Sequence, residues 1–98
     1  LALFRIAQES LVNIIKHARA DSVSLDLIRV GDEIQLTVED DGAGFDLNDP
    51  DLTPHGIFIM EERARLCNGE FHIDSREGQG TVVVARIPLN GPGGGDPL

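Results

Sequence analysis

Residues 23–45 read VSLDLIRVGDEIQLTVEDDGAGF, and this stretch decides the fold. Apolar residues alternate through Val23 to Val30 and again through Ile34 to Glu39, the period of a half-buried strand. Gly31 and Asp32 lie between the runs and predict a tight hairpin turn, with the usual Asp-Gly order reversed. Ile34, Leu36, Val38 and Asp40 share one face of the second strand, so Asp40 stands in register with residues aimed at a core. A carboxylate there needs a partner, because an unpaired buried charge is costly. No Lys or Arg lies nearby in sequence to supply one. Asp41 and Gly42 are ordinary turn formers, which accounts for Asp41 but not for an inward Asp40. Gly42 and Gly44 let the backbone turn sharply and approach a bound molecule closely. The strand end therefore reads as one wall of a small-molecule pocket, with Asp40 accepting from a ligand amine.

The pattern extends outward on both sides. Residues 1–19 carry Leu3, Ala7, Leu11, Ile14 and Ala18 at three- and four-residue steps, which predicts an amphipathic helix. No capping residue precedes it, so the sequence is expected to start at or inside that helix, after an element not included. Asp46 to His55 has no period and predicts a loop. Helical spacing returns from Gly56 to Cys67 through Ile57, Met60, Ala64 and Cys67, with Asn68-Gly69 as a left-handed stop. Phe71 to Ser75 and Thr81 to Leu89 predict two further strands around the Glu77 to Gly80 turn. The folded domain is expected to span residues 1–89, and the Gly/Pro-rich residues 90–98 form a flexible tail. Helix, hairpin, loop, helix, hairpin is not βαβ alternation. It predicts an α+β two-layer sandwich, with helices on one face of a mostly antiparallel mixed sheet.

Composition narrows the function. At 98 residues and 10.6 kDa there is room for one modest core. A formal charge of -9, from 17 acidic and 8 basic residues, argues against a protein that tracks a phosphate backbone. No run of 18 apolar residues and no signal-peptide pattern is present, so no membrane contact is expected of this segment. The single cysteine, Cys67, excludes an internal disulfide and reads as a packing residue.

Glu9, Asn13 and Lys16, at i, i+4 and i+7 of the first helix, form a polar stripe. An acid, an amide oxygen and an ammonium suit a magnesium-bound polyphosphate, although a solvated helix face has the same pattern. His55-Gly56-Ile57 begins the second helix, where free N–H groups and the dipole favour phosphate. His17, His55 and His72 fall in three elements, so no zinc site is expected. Gly78-Gln79-Gly80-Thr81 places a hydroxyl at the head of a core strand.

In order, Gln8 to Ala18, then Asp40 to Phe45, then Gly56-Ile57 with Met60 and Glu62-Arg63-Ala64, and Gly78 to Thr81 closely resemble the ATP-binding domain of sensor histidine kinases. The resemblance spans residues 3–89 and points to the short-lid branch of nitrate-sensor and thermosensor kinases, in the Bergerat-type superfamily that includes type II topoisomerases and mismatch-repair ATPases. It implies that Asn13 coordinates Mg2+, with Glu9 beside it as the catalytic acid that helps order the metal or its water. It implies that Lys16 and His17 contact phosphates, that Asp40 accepts from the adenine amine, and that Gly42 and Gly44 lie against the base. Phe45 to His55 would form a lid, Gly56 and Ile57 would give backbone contacts to phosphate, and Thr81 would support adenine. ATP and Mg2+ are the implied cofactors. The implied partners are a histidine-bearing dimerisation domain of the same kinase and, through it, a response regulator, in the cytoplasm. Pro54 and Ile59 stand where the branch often has glycine, so the lid is expected to hinge differently. Two other readings are an anti-sigma-type serine kinase and a nucleotide-free interaction module.

Overall fold

The structure, a computed structural model, describes residues 2–15, 19–44 and 55–89. Its elements are α1 (Ala2–Asn13), β1 (Val23–Val30), β2 (Glu33–Asp40), α2 (His55–Leu66), β3 (Glu70–Ser75) and β4 (Thr81–Pro88). The four strands form one sheet in the order β1-β2-β4-β3, antiparallel throughout. β4, last in sequence, is thus inserted between β2 and β3. Its residues Val82, Val83, Val84 and Ala85 suit that place, since a strand flanked on both sides is more uniformly apolar than an edge strand.

The hairpin turn forms as its residues dictate. Val30 pairs with Glu33, and Gly31 alone of the two loop residues has positive φ, at 61°. Glycine at the first central position is the requirement of a type II′ turn, whose twist matches that of the strands. The reversed Gly-Asp order is therefore a turn signal in its own right. β2 is one residue longer at each end than its alternation suggested, so Asp40 is itself the last strand residue.

Both helices cover one face of the sheet, α1 over β2 and β4, α2 over β4 and β3, and they pack against each other. Leu3, Ile6, Leu36, Val38, Met60, Ala64, Val83, Ala85 and Ile87 form the buried cluster, with Ile57, Phe71, Ile73 and Cys67 packed against it. Cys67 is a packing residue, as its spacing indicated. β1 lies outside the helical cover, and all eight of its residues are exposed.

α1 corrects the sequence reading twice. Its buried positions are Ala2, Leu3, Ile6 and Ser10, whereas Leu11 is 37% exposed. The apolar stripe is rotated because α1 packs on α2 as well as the sheet, and the α2 side takes Ser10, whose hydroxyl donates to Met60 Sδ at 3.2 Å. The helix also stops early: it widens to a π turn at residues 14–15, and Arg19 has φ 50°, incompatible with a helix running to residue 19. Ala18 lies outside the described residues, as do 46–54 and 90–98.

α2 ends in a Schellman motif. Gly69 N–H donates to Ala64 C=O at 2.8 Å, Asn68 N–H to Arg65 C=O at 3.0 Å, and Asn68 takes the left-handed conformation at φ 58°. Asparagine supplies the left-handed stop of the Asn68-Gly69 pair.

Ile6 has no exposed surface, while Ile15 on the same helix is 83% exposed. Ile6→Ala is expected to cost about 3 kcal/mol. Ile15→Ala should stay within about 0.5 kcal/mol of the parent. Urea denaturation of the two variants measures the contrast.

Candidate functional site

Asp40, Thr81 and Ser75 are direct cross-strand partners on β2, β4 and β3. They continue the inner face of Leu36, Val38, Val83 and Ile73, so the apolar core ends in a polar row. Asp40 is 6% exposed, and Ser75 is 7% exposed. The alternation of β2 had placed Asp40 here; its need for a partner is met first from within. Gly42 N–H donates to Asp40 Oδ1 at 2.8 Å. The bond fixes the carboxylate's orientation and uses one of roughly four lone-pair positions.

Asp41 is more than a turn residue. Its Oδ1 accepts from the backbone N–H groups of Asp21 and Ser22, both at 2.9 Å, and its Oδ2 accepts from the Ser22 hydroxyl at 3.1 Å. The start of β1 is thereby tied to the end of β2. The Ser22 N–H, with smaller contributions from its hydroxyl and from Asp21, holds the Asp41 carboxyl below its ordinary 3.8.

Two glycine loops interlock beside this row. Gly78 N–H donates to Ala43 C=O at 2.6 Å. A β-carbon on Gly80 (φ 79°) would stand 2.1 Å from the Asp40 carbonyl oxygen, and one on Gly44 (φ 63°) 2.0 Å from that of Arg76. Both positions combine a left-handed backbone with contact against main chain, so only glycine fits.

A second cluster lies where α1 meets the start of α2. A β-carbon on Gly56 would stand 2.6 Å from Glu9 Oε1, 3.0 Å from Asn13 Nδ2 and 3.4 Å from Asn13 Oδ1. Glu9 and Asn13 are therefore half-buried against the first turn of α2 and do not line a freely solvated helix face. The carboxylate and carboxamide oxygens are hard donors converging on a helix N-terminus, whose first N–H groups have no intrahelical partner. That donor set fits Mg2+. Among the described residues no three His, Cys, Asp or Glu side chains group as a metal cage, so water and phosphate oxygens would complete the shell, the usual arrangement for this ion. Ile57 is half-buried and packs its side chain against the core cluster. Lys16, His17, Phe45 and Pro54 lie outside the described residues. Ile59 is half-buried within α2.

A profile of the family described as "Histidine kinase-, DNA gyrase B-, and HSP90-like ATPase" matches residues 1–91. The chain belongs to this family. ATP is the nucleotide that such a family uses. DegS, a signal transduction histidine-protein kinase/phosphatase of Bacillus subtilis, is 34% identical over 92% of the chain. NreB, an oxygen sensor histidine kinase of Staphylococcus carnosus, is 40% identical over 89%. The chain spans about a quarter of the length of these relatives, 24% and 25% respectively. Among solved structures, the histidine kinase domain of a blue-light activated kinase from Erythrobacter litoralis matches with TM-score 0.70 and 28% identity, covering 90% of this chain and 43% of that one. AdeS of Acinetobacter baumannii, TM-score 0.74 at 16% identity over 91% of this chain and 46% of that one, shares the fold.

Ser75 and Ser10 escaped the sequence reading, although the alternation Phe71, Ile73, Ser75 already set Ser75 on the inner face. Two predictions test the site's supports. Gly80→Ala should destabilise the domain by about 2 kcal/mol or more, from a left-handed backbone and a collision with main chain; thermal unfolding reads it. The folded Asp41 pKa is lowered, so its contribution is complete above the unfolded value of 3.8 and is lost as pH falls through the lower folded value. The melting-temperature gap between parent and Asp41→Asn should therefore be present at pH 7 and close below pH 3.8.

Proposed function

We propose that this chain is the ATP-binding part of a sensor histidine kinase. The observation that carries the reading is the inward Asp40, buried in a row with Thr81 and pre-oriented by Gly42. A fixed acceptor at the closed end of a core suits the exocyclic amine of adenine, and Gly42 and Gly44 allow the base to lie close to the backbone. Asn13 and Glu9, beside Gly56, would hold Mg2+ against the phosphates, with Glu9 as the catalytic acid ordering the ion or its water. When bound, the ion would supply charge neutralisation for the transferred group. Lys16 and His17 would add phosphate contacts, the backbone of Gly56 and Ile57 would meet the polyphosphate at the start of α2, and Phe45 would begin the lid.

The γ-phosphoryl would pass to a histidine nitrogen on the dimerisation domain of the same kinase, with cleavage of the bond to the β–γ bridging oxygen and departure of ADP. From that histidine it would go to a response regulator. The histidine-kinase reading would place this segment in the cytoplasm. Phosphoryl transfer depends on positioning and charge neutralisation, so these 98 residues by themselves would bind nucleotide with little or no autophosphorylation.

Calorimetry with ADP tests this directly. The parent should bind ADP in Mg2+, and Asp40→Asn should weaken binding by about 10- to 100-fold while leaving thermal unfolding little changed. Asn13→Ala should weaken binding in Mg2+ and have little effect in EDTA. Absence of heat with the parent, or undiminished affinity in Asp40→Asn, would overturn the reading.

A further inference from the structure

We infer that the step between β1 and α1 is a self-association surface, whose occupant is a second copy of this chain related by a two-fold axis roughly parallel to β1. The step is separate from the proposed nucleotide site, since it lies on the flank of α1 turned away from Glu9 and Asn13.

β1 supplies the floor. Val23 pairs directly with Asp40, Leu25 with Val38 and Leu27 with Leu36. Cross-strand partners share a face of the sheet, so Val23, Leu25 and Leu27 carry the core face onto β1. Their partners on β2 are buried, whereas they are 43%, 46% and 51% exposed in that order. Arg29, next on the same face, is turned back to the hairpin by its Nε bond to the Gly31 carbonyl oxygen at 3.0 Å. The floor is therefore apolar.

α1 supplies the wall. From β3 toward β1 the helical layer runs α2, then α1, and ends there among the described residues, so the flank of α1 away from α2 overlooks β1. Ser10 meets Met60, and Glu9 and Asn13 lie against Gly56, which marks the α2 side of the helix. At about 100° per residue, Leu11 stands about 160° around from both Glu9 and Asn13, with Phe4 and Ile15 within about 40° of it. Phe4 is 58% exposed, Leu11 37% and Ile15 83%. A surface helix ordinarily keeps this side polar. Here α1 is apolar on two sides, one for the core and one for the step.

A second copy fits because a step one layer deep is complementary to itself. Rotation about an axis along β1 lays the second copy's β1 face-down on this one at about 10 Å, the ordinary separation of packed layers. Each α1 flank then borders the other copy's β1 edge, and each copy gives and receives the same patch, as a two-fold contact requires. That edge needs a cover, since β1 carries neither Pro nor Lys to blunt it. The six side chains expose roughly 600 Å2 per copy, so a pair buries up to about 1,200 Å2, the lower end for a specific interface. The patch is uncharged in a chain of net charge -9, so it is where two copies meet with least repulsion. Such an axis leaves both Asp40 ends on one side of the pair.

Sedimentation equilibrium of the 98-residue chain is the test. An interface of this size predicts mostly monomer at about 5 μM and mostly dimer at about 500 μM. Leu27→Glu and Ile15→Glu place a charge on the floor and on the wall, and each should weaken dimerisation by about 10-fold or more. Ile28→Glu, on the same strand at 50% exposure but on the opposite face, should leave it within about 2-fold. Thermal unfolding checks that each variant is folded; should Leu27→Glu not fold, Ile15→Glu and Leu11→Glu decide in its place. A chain still monomeric at about 500 μM overturns the inference and leaves the step to a different partner. Dimers broken by Ile28→Glu are joined through the open face of the sheet, which overturns it as well. Dimers indifferent to Ile15→Glu are joined along the β1 edge with the step uncovered, and growth beyond the dimer is no closed two-fold contact; either result is equally fatal.

Discussion

The antiparallel pairing of β2 with β4 is the constraint on which the rest of this domain depends. It brings two strands more than 40 residues apart in sequence into one sheet, buries Leu36, Val38, Val83, Ala85 and Ile87 on one face, and finishes that face with Asp40 beside Thr81. The pairing is held at its end by a backbone contact, Gly80 against Asp40, that tolerates no β-carbon. A slip of one residue would send every inner side chain to the other face. The register that builds the core therefore also builds the polar row, and stability and site geometry have a common cause.

The helices add the second cluster through the same economy of contacts. α1 and α2 pack on each other as well as on the sheet, and the closeness of Gly56 to Glu9 and Asn13 follows from that packing. The Ser10 to Met60 contact lies on the same α1–α2 interface, so core packing sets how near the acid and the amide stand to the N–H groups that open α2. Among the described residues no buried side-chain nitrogen or oxygen lacks a hydrogen-bond partner. The polar row is thus held by hydrogen bonds from within, with acceptor positions of Asp40 still open.

Much of this was legible in residue order. Period-2 alternation located all four strands, the inward Asp40 and the hairpin turn, because side-chain direction in a strand is a local property. Helical spacing located α2 and its Asn68-Gly69 stop for the same reason. The face of α1 was harder. Leu11 fits an apolar stripe and yet is 37% exposed, whereas Ser10 is buried, since a helix that packs on two neighbours turns a wider and differently centred face inward than a one-sided amphipathic pattern implies. The polar stripe of Glu9 and Asn13 likewise could not be told from a solvated surface until Gly56 was seen against it.

By itself the sequence determined the order of the elements, the inward faces of β2 and α2 and, through the motifs it shares with histidine kinases, the chemistry to look for, but not the buried face of α1 or the full exposure of β1. Which residues meet was decided only in three dimensions. Strand order β1-β2-β4-β3, the seating of Ser75 beside Thr81 and the Gly42 bond that orients Asp40 depend on contacts between separated or turning segments. Local pattern fixes direction, whereas proximity comes from the common burial of several such directions in one core, to which no single segment holds the key.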